Sequence, residues 1–269
     1  MDKKPFFSII TISFNSEKTI ERTIKSVLAQ TCKNYEYIVV DGNSKDATLD
    51  IIKKYEPMFE GRMSWKSEPD KGIYDAMNKG IRRSKGDMIG IVNSDDWLEP
   101  DALEKVWNAF EENGKSLDAV YCGWIKFHYN NGDVQVMKTN HEFLKKWAES
   151  KYEIAGIRHP AVFVPIKLYD RFGVFDEKMK IQADTDLLLR LYFGKVDFFY
   201  FNIVITNMAD GGVSNSSYLK ACNDYKAILK KYDVSGLHYF KLYALFYLKA
   251  LTKKWIPQSL IMKYRKLGH

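Results

Sequence analysis

The sequence predicts an α/β protein: a mostly parallel, Rossmann-like sheet flanked by helices, with a helical extension at the C-terminal end. Three observations predict it. Apolar runs rich in β-branched residues alternate with stretches of helical periodicity through the first hundred residues. Two of these runs end in acidic, turn-forming segments, Asp41-Gly42-Asn43-Ser44 and Asn93-Ser94-Asp95-Asp96. The last fifty residues carry a basic, aromatic composition unlike the rest.

Phe6 to Ser13 reads as a buried first strand, with Asn15 or Ser16 placed to cap the helix that follows through Ile20, Ile24, Val27 and Leu28. Tyr35 to Val40 is the second strand. A helix from about Asp46 carries Leu49 and Ile52, and a short strand spans Met63 to Lys66. The Pro and Gly of Ser67-Glu68-Pro69-Asp70-Lys71-Gly72 make a loop, after which Ile73, Met77 and Ile81 share one helix face. Met88 to Val92 closes this half. Pro100 to Asn113 is helical, and Asn130-Asn131-Gly132-Asp133 joins a hairpin of Ala119–Tyr129 and Val134–Lys138. Strands follow at Ala161–Val164 and Asp197–Ile205, separated by a helix opening near Asp184 with Leu187, Leu188 and Leu191 inward, and Asp210-Gly211-Gly212 is a turn. Beyond Ser216 the pattern is helical, so residues 1–217 form the main domain and 218–269 an extension.

At 269 residues and 46% hydrophobic content the chain can bury a sizeable core. Cys32, Cys122 and Cys222 are odd in number and widely spaced, which excludes a disulfide framework or a structural zinc site and fits a reducing cytoplasm. The apolar start, broken by Thr11 and Ser13, reads as a strand and not as a signal peptide, and no stretch offers the roughly 18 uncharged apolar residues of a spanning helix. The net charge of +7 is unevenly placed: residues 218–269 carry 11 Lys and Arg against 2 Asp, a net of +9, leaving 30 basic and 32 acidic groups in residues 1–217. That segment mixes its lysines with Tyr239, Phe240, Tyr243, Phe246, Leu248 and Trp255, a blend suited to an anionic membrane surface. Nucleic acid is not expected as a partner, because no helix-turn-helix, zinc-finger or RNA-recognition signature is present. The absence of HExxH, GxxxxGK[ST] and G-x-S-x-G removes the zinc-protease, P-loop and α/β-hydrolase classes.

A strand that opens into adjacent carboxylates is a place to hold a divalent cation against phosphate oxygens, and the two acidic segments are expected at one sheet edge, where open α/β sheets bind ligands. The marks Ser8-Ile9-Ile10-Thr11-Ile12-Ser13-Phe14-Asn15, Val39-Val40-Asp41-Gly42-Asn43-Ser44, Asp70-Lys71-Gly72-Ile73-Tyr74-Asp75, Asn93-Ser94-Asp95-Asp96, Phe172-Gly173-Val174-Phe175-Asp176-Glu177 and Ala183-Asp184-Thr185-Asp186 stand in order along residues 5 to 215. Together they resemble the inverting, nucleotide-sugar-dependent glycosyltransferases of family 2, which have the GT-A fold.

The resemblance implies that Thr11, Ser13, Asn15 and Glu17 line the nucleotide pocket and that Asp41 accepts a hydrogen bond from the base, uracil by preference. Its physical basis is that the uracil N3–H donates and a carboxylate only accepts. Asp70, Lys71 and Asn78 would meet ribose, phosphate or sugar hydroxyls. Asn93-Ser94-Asp95 stands where the family has Asp-x-Asp, so Asp95 would bind Mg²⁺ or Mn²⁺ and Asn93 would keep a hydrogen-bonding role, with Asp96 beside them. Asp184 matches the catalytic base, although Ala183 stands where the family has an acid. Asp186 is a rival base, Arg190 could orient a carboxylate or phosphate, and His159 would lie in the acceptor cleft. The implied activity is transfer of a sugar, with inversion, from a UDP-linked donor to a hydroxyl of a glycan acceptor carried on an undecaprenyl-type lipid. The enzyme would be cytoplasmic, peripheral at the inner face of a bacterial membrane. A sugar-nucleotide nucleotidyltransferase and a catalytically silent scaffold of the same fold are the alternatives.

Overall fold

The computed structural model describes residues 4–139, 142, 144–145, 159–211, 218–233, 240, 244 and 247–248. The chain forms two compact units, Met1–Gly212 and Val213–His269. In the first, nine strands make one sheet: β1 (Phe7–Ser13), β2 (Tyr35–Asp41), β3 (Met63–Ser67), β4 (Met88–Ile91), β5 (Trp97–Leu98), β6 (Ala119–His128), β7 (Val134–Met137), β8 (Val162–Pro165) and β9 (Asp197–Ala209). Their order is β3-β2-β1-β4-β8-β6-β9-β5, with β7 paired to β6.

The first four strands are parallel, joined by α1 (Ile20–Leu28), α2 (Thr48–Tyr55) and α3 (Ile73–Arg83). The chain runs outward from β1 to β3 and then crosses back to β4 on the other side of β1. This reversal leaves a crevice at the carboxyl ends of the strands. Because β1 pairs in parallel with both β2 and β4, Asp41 and the segment Asn93–Asp96 leave the sheet at the same edge, as the two acidic run-ends predict. Ile9, Tyr37 and Val39 pack with Ile20, Ile24 and Val27 of α1 and Ile52 of α2. The opposite face meets α3 closely enough that a Cβ at Gly80 would collide with Ile10.

From β4 onward the sheet turns antiparallel: β4 pairs β8, and β8 pairs β6, in that sense. β9 then returns parallel to β6 on either side of a bulge, and is four residues longer than the strand expected. α4 (Ala102–Glu112), α5 (Ile166–Phe172) and α6 (Ala183–Phe193) complete the unit, and α7 (Tyr218–Lys231) belongs to the second. Neither β5 nor α5 is expected from sequence. The cap of α1 also differs: Thr19 precedes the helix without a side-chain cap, while Asn15 adopts φ 48° and Ser16 contributes its carbonyl to Thr19 and Ile20. The helices expected beyond Lys231 lie largely outside the described residues.

Candidate active site

Asp41 ends β2 fully buried, and its carboxylate accepts four hydrogen bonds. Ser13 Oγ (3.0 Å) and Ser44 Oγ (2.5 Å) reach Oδ1, and Ser44 N (2.9 Å) and Ser67 Oγ (2.7 Å) reach Oδ2. Three of the four donors are rotatable hydroxyls from three different strand ends or loops, so a ligand N–H can replace one without unfolding the turn. Ser67 is a partner that sequence reasoning missed, for it is one ordinary Ser at the end of a short strand. Gly42 follows with the carboxylate of Asp70 packed on its backbone, where any Cβ would collide with it. Burial, the largest cause, raises the Asp70 carboxyl above the ordinary range, and the negative charges of Asp75 and Asp41 add to the shift. Asp70 accepts the Gly72 amide at 3.0 Å, Lys71 is exposed, and the Phe14 ring stands 62% exposed beside Gly42.

The loops after β1 and β2 are stitched together. Asn15 N donates to Ser44 Oγ and Asn15 Oδ1 accepts from Lys45 N; Ser16 N donates to Thr48 Oγ1; Glu17 N donates to Asp46 Oδ2 and Glu17 Oε2 accepts from Ala47 N, all between 2.8 and 3.0 Å. Asn15 and Glu17 thus shape the edge by tying two loops, and Ser13 serves Asp41 directly. Thr11 is corrected: it lies in the core, fully buried, accepting the Tyr37 hydroxyl at 3.0 Å, two residues inside the strand end.

After β4, the loop Asn93–Asp96 is held from α1. Thr23 Oγ1 donates to the carbonyls of Asp96 (2.6 Å) and Asn93 (3.4 Å), and Arg22 Nη2 donates to the carbonyl of Asp95 (2.7 Å) with its guanidinium 3.7 Å over the Trp97 ring. Arg22 and Thr23 carry no motif signal, which is why sequence reasoning passed them by. Asn93 Nδ2 donates to Asp96 Oδ2, whereas Asn93 Oδ1 is buried without a partner. Burial raises the Asp95 carboxyl, opposed in part by Arg22. Asp96, 1% exposed, is corrected from a ligand-facing role: Oδ1 accepts the Ala209 amide at 3.1 Å and Oδ2 accepts Asn93, so it ties the loop to the end of β9. Its carboxyl is pushed up to about 7, first by burial and then by Asp95.

Five candidates lie in the later half or pack against it. Asn78, fully buried on α3, donates to Phe175 O (2.9 Å) and Glu177 Oε1 (3.0 Å) and accepts from Phe175 N (3.0 Å). Both amide protons and the oxygen are engaged, so the expected contact with ribose, phosphate or sugar is replaced by anchoring of the 175–177 loop. Asp186 is fully buried and pairs with Arg190 Nε at 2.8 Å. Arg190 in turn donates to the carbonyls of Phe172, Gly173 (3.0 Å) and Val174 (2.7 Å). This pair clamps the end of α5, which removes Asp186 as a rival base and Arg190 as a phosphate ligand. Asp184, two residues before Asp186, is half-buried with Oδ1 accepting Thr185 N at 2.8 Å. His159, 5% exposed, packs edge-on against Phe175 with ring centroids 5.2 Å apart. Its Nε2 is buried without a hydrogen bond, and burial lowers its pKa to about 4.

The family model described as Glycosyl transferase family 2 matches residues 8–174. The chain is 30% identical to the PGL/p-HBAD biosynthesis glycosyltransferase of Mycobacterium tuberculosis over 216 residues, covering 79% of this chain and 80% of that protein. Among solved structures, Staphylococcus aureus TarS 1-349 in complex with UDP-GlcNAc superposes with a TM-score of 0.65 at 20% identity, over 89% of this chain and 71% of that one. Against the longer TarS structure the covered share of that chain is 42%. The mannosyltransferase PcManGT of Pyrobaculum calidifontis, in complex with GDP-Man and Mn²⁺, gives a TM-score of 0.61 at 13% identity, over 90% of this chain and 69% of that one. These likenesses give the fold as GT-A.

Proposed function

The chain belongs to glycosyl transferase family 2, and from that premise we propose that it transfers a sugar, with inversion, from a nucleotide-diphosphate donor, UDP-linked by preference, to a hydroxyl of a lipid-linked glycan. The observation that carries this reading is the shared sheet edge, where Asp41 and Asp95 emerge from strands parallel to β1. TarS, of like fold, was solved with UDP-GlcNAc, which supports a UDP-sugar.

Asp41 would read the base by accepting its N3–H in place of a serine hydroxyl. Among the described residues no group of three or more His, Cys, Asp or Glu side chains is placed to hold a metal ion. A Mg²⁺ or Mn²⁺ ion would therefore rest on few protein ligands: Asp95, whose burial makes a nearby cation favourable, and the unpartnered Asn93 Oδ1. When bound, it supplies charge neutralisation at the departing diphosphate. PcManGT, with Mn²⁺, supports this choice. Asp184 would remove the acceptor hydroxyl proton. Asp184 stands in the N-terminal turn of α6. His159 stays uncharged and would offer Nε2 to an acceptor hydroxyl.

The test is a panel of UDP-, GDP- and TDP-sugars scored for metal-dependent release of the nucleoside diphosphate and for thermal stabilisation. UDP-sugar turnover that requires metal is expected. Pyrophosphate-dependent exchange would point to a nucleotidyltransferase instead, and neither turnover nor stabilisation would leave a silent scaffold.

A further inference from the structure

In the second unit, α7 contains a single acidic residue, Asp224, and that residue is buried at 7% exposure. Lys220, Lys226, Lys230 and Lys231 are all exposed. At about 100° per residue these lysines fall in one arc of the helix, opposite the buried Ile228 and Leu229. The exposed face of α7 therefore carries four lysines beside Asn223 and Ala227, with no acid among its exposed residues, and one exposed acid, Asp233, follows the helix. Farther along, Phe240 (69%), Ala244, Tyr247 (44%) and Leu248 (61%) are each helical and exposed. No helix among the described residues is long and apolar enough to cross a membrane. Lysines that present charge and apolar side chains that present surface are the two requirements for lying in a bilayer interface.

We propose that residues 218–248 dock this protein on an anionic phospholipid surface, with Lys220, Lys226, Lys230 and Lys231 against the headgroup phosphates and Phe240 and Leu248 inserted below them. The net charge of +9 over residues 218–269 supplies the complementarity. The inference deepens the reading of a lipid-linked acceptor, since it brings the enzyme to the surface that holds such an acceptor.

The full-length protein is sedimented with vesicles of phosphatidylcholine alone and of phosphatidylcholine mixed equally with phosphatidylglycerol. Binding to the mixed vesicles only is expected, weakened by salt. The variant K220E/K226E/K230E/K231E should lose affinity on the order of 100-fold or more. F240S/L248S should lose about tenfold while keeping its salt dependence. Equal binding to both vesicle types, retention by the fourfold variant, displacement by inorganic phosphate, or tighter binding to duplex DNA or RNA would overturn the proposal. Should the fourfold variant fail to fold, the salt series on the unaltered chain reads the same charges. UDP-sugar hydrolysis in vesicle-free solution separates the two readings: it should be unchanged in both variants. Its absence from the unaltered protein would sink the enzymatic reading and leave the docking result standing.

Discussion

The parallel half of the sheet and the half that follows it treat polar side chains in opposite ways. At the ends of β1, β2 and β4, carboxylates are held by hydroxyls and main-chain amides on short loops, and Asn93 Oδ1 is left without a partner. In the later half, Asp186, Arg190 and the α3 residue Asn78 are consumed by structural bonds to the segment 172–177. The difference teaches that hydroxyl and amide partners at a strand end can be exchanged for a ligand's, whereas Asp186, Arg190 and Asn78, on helices packed against a loop, are recruited to hold that loop.

The sharpest test of the contrast lies at Asp184, the half-buried acid of the later half. Asp184→Asn should lower sugar transfer about 1,000-fold while nucleotide binding by calorimetry changes less than about twofold. Unaltered transfer would move the base elsewhere. Asp95→Ala should lower turnover by a similar factor, about 100- to 1,000-fold, and also abolish the metal dependence of nucleotide binding. Next in size, Arg190→Met removes the buried ion pair to Asp186 together with the bonds that hold the carbonyls of Phe172, Gly173 and Val174, and chemical denaturation should show a loss of about 3–4 kcal/mol. If Arg190 instead served phosphate, stability would hold and only donor affinity would fall. Asn78→Ala, which unpairs the Phe175 main chain, should cost about 2 kcal/mol with donor affinity intact.

His159 offers the smallest and most conditional effect. Its folded pKa of about 4 lies below the ordinary value of 6.5, so between these values the unfolded chain binds the extra proton. The stability it permits is full above pH 6.5 and is lost as pH falls toward 4, by about 2 kcal/mol at pH 5. The difference in melting temperature between the unaltered protein and His159→Gln should therefore change sign or shrink across that window. A pH-independent difference would mean that the imidazole reaches a partner or solvent.

The parallel half was legible because its apolar runs are local: β1, β2 and β4 are each continuous and buried on both faces, and β2 and β4 run out into Asp and Asn. Asp41 and Asp95 could be found from that pattern. β5 could not, because two residues become a strand only by pairing with Asn207 and Thr206, far along the chain. The length of β9 escaped for the same reason, since Thr206 to Ala209 pair with Ile125 to His128 across a bulge. Asn78, Asp186 and Arg190 were misjudged because a side chain's partner depends on which loop the fold lays against it, and spacing along one helix does not reveal that. Thr11 was misjudged by one pleat: it shares the face of Ser13, but Tyr37 fills the space beside it.

The single hydrogen bond from Ala209 N to Asp96 Oδ1 joins the loop that would bear the cation to the final turn of sheet before the chain leaves the first unit. That amide is a built-in reporter. Its deuterium uptake should slow when nucleotide and cation stiffen the loop, so occupancy can be followed from the far end of the strand without a label at the catalytic edge.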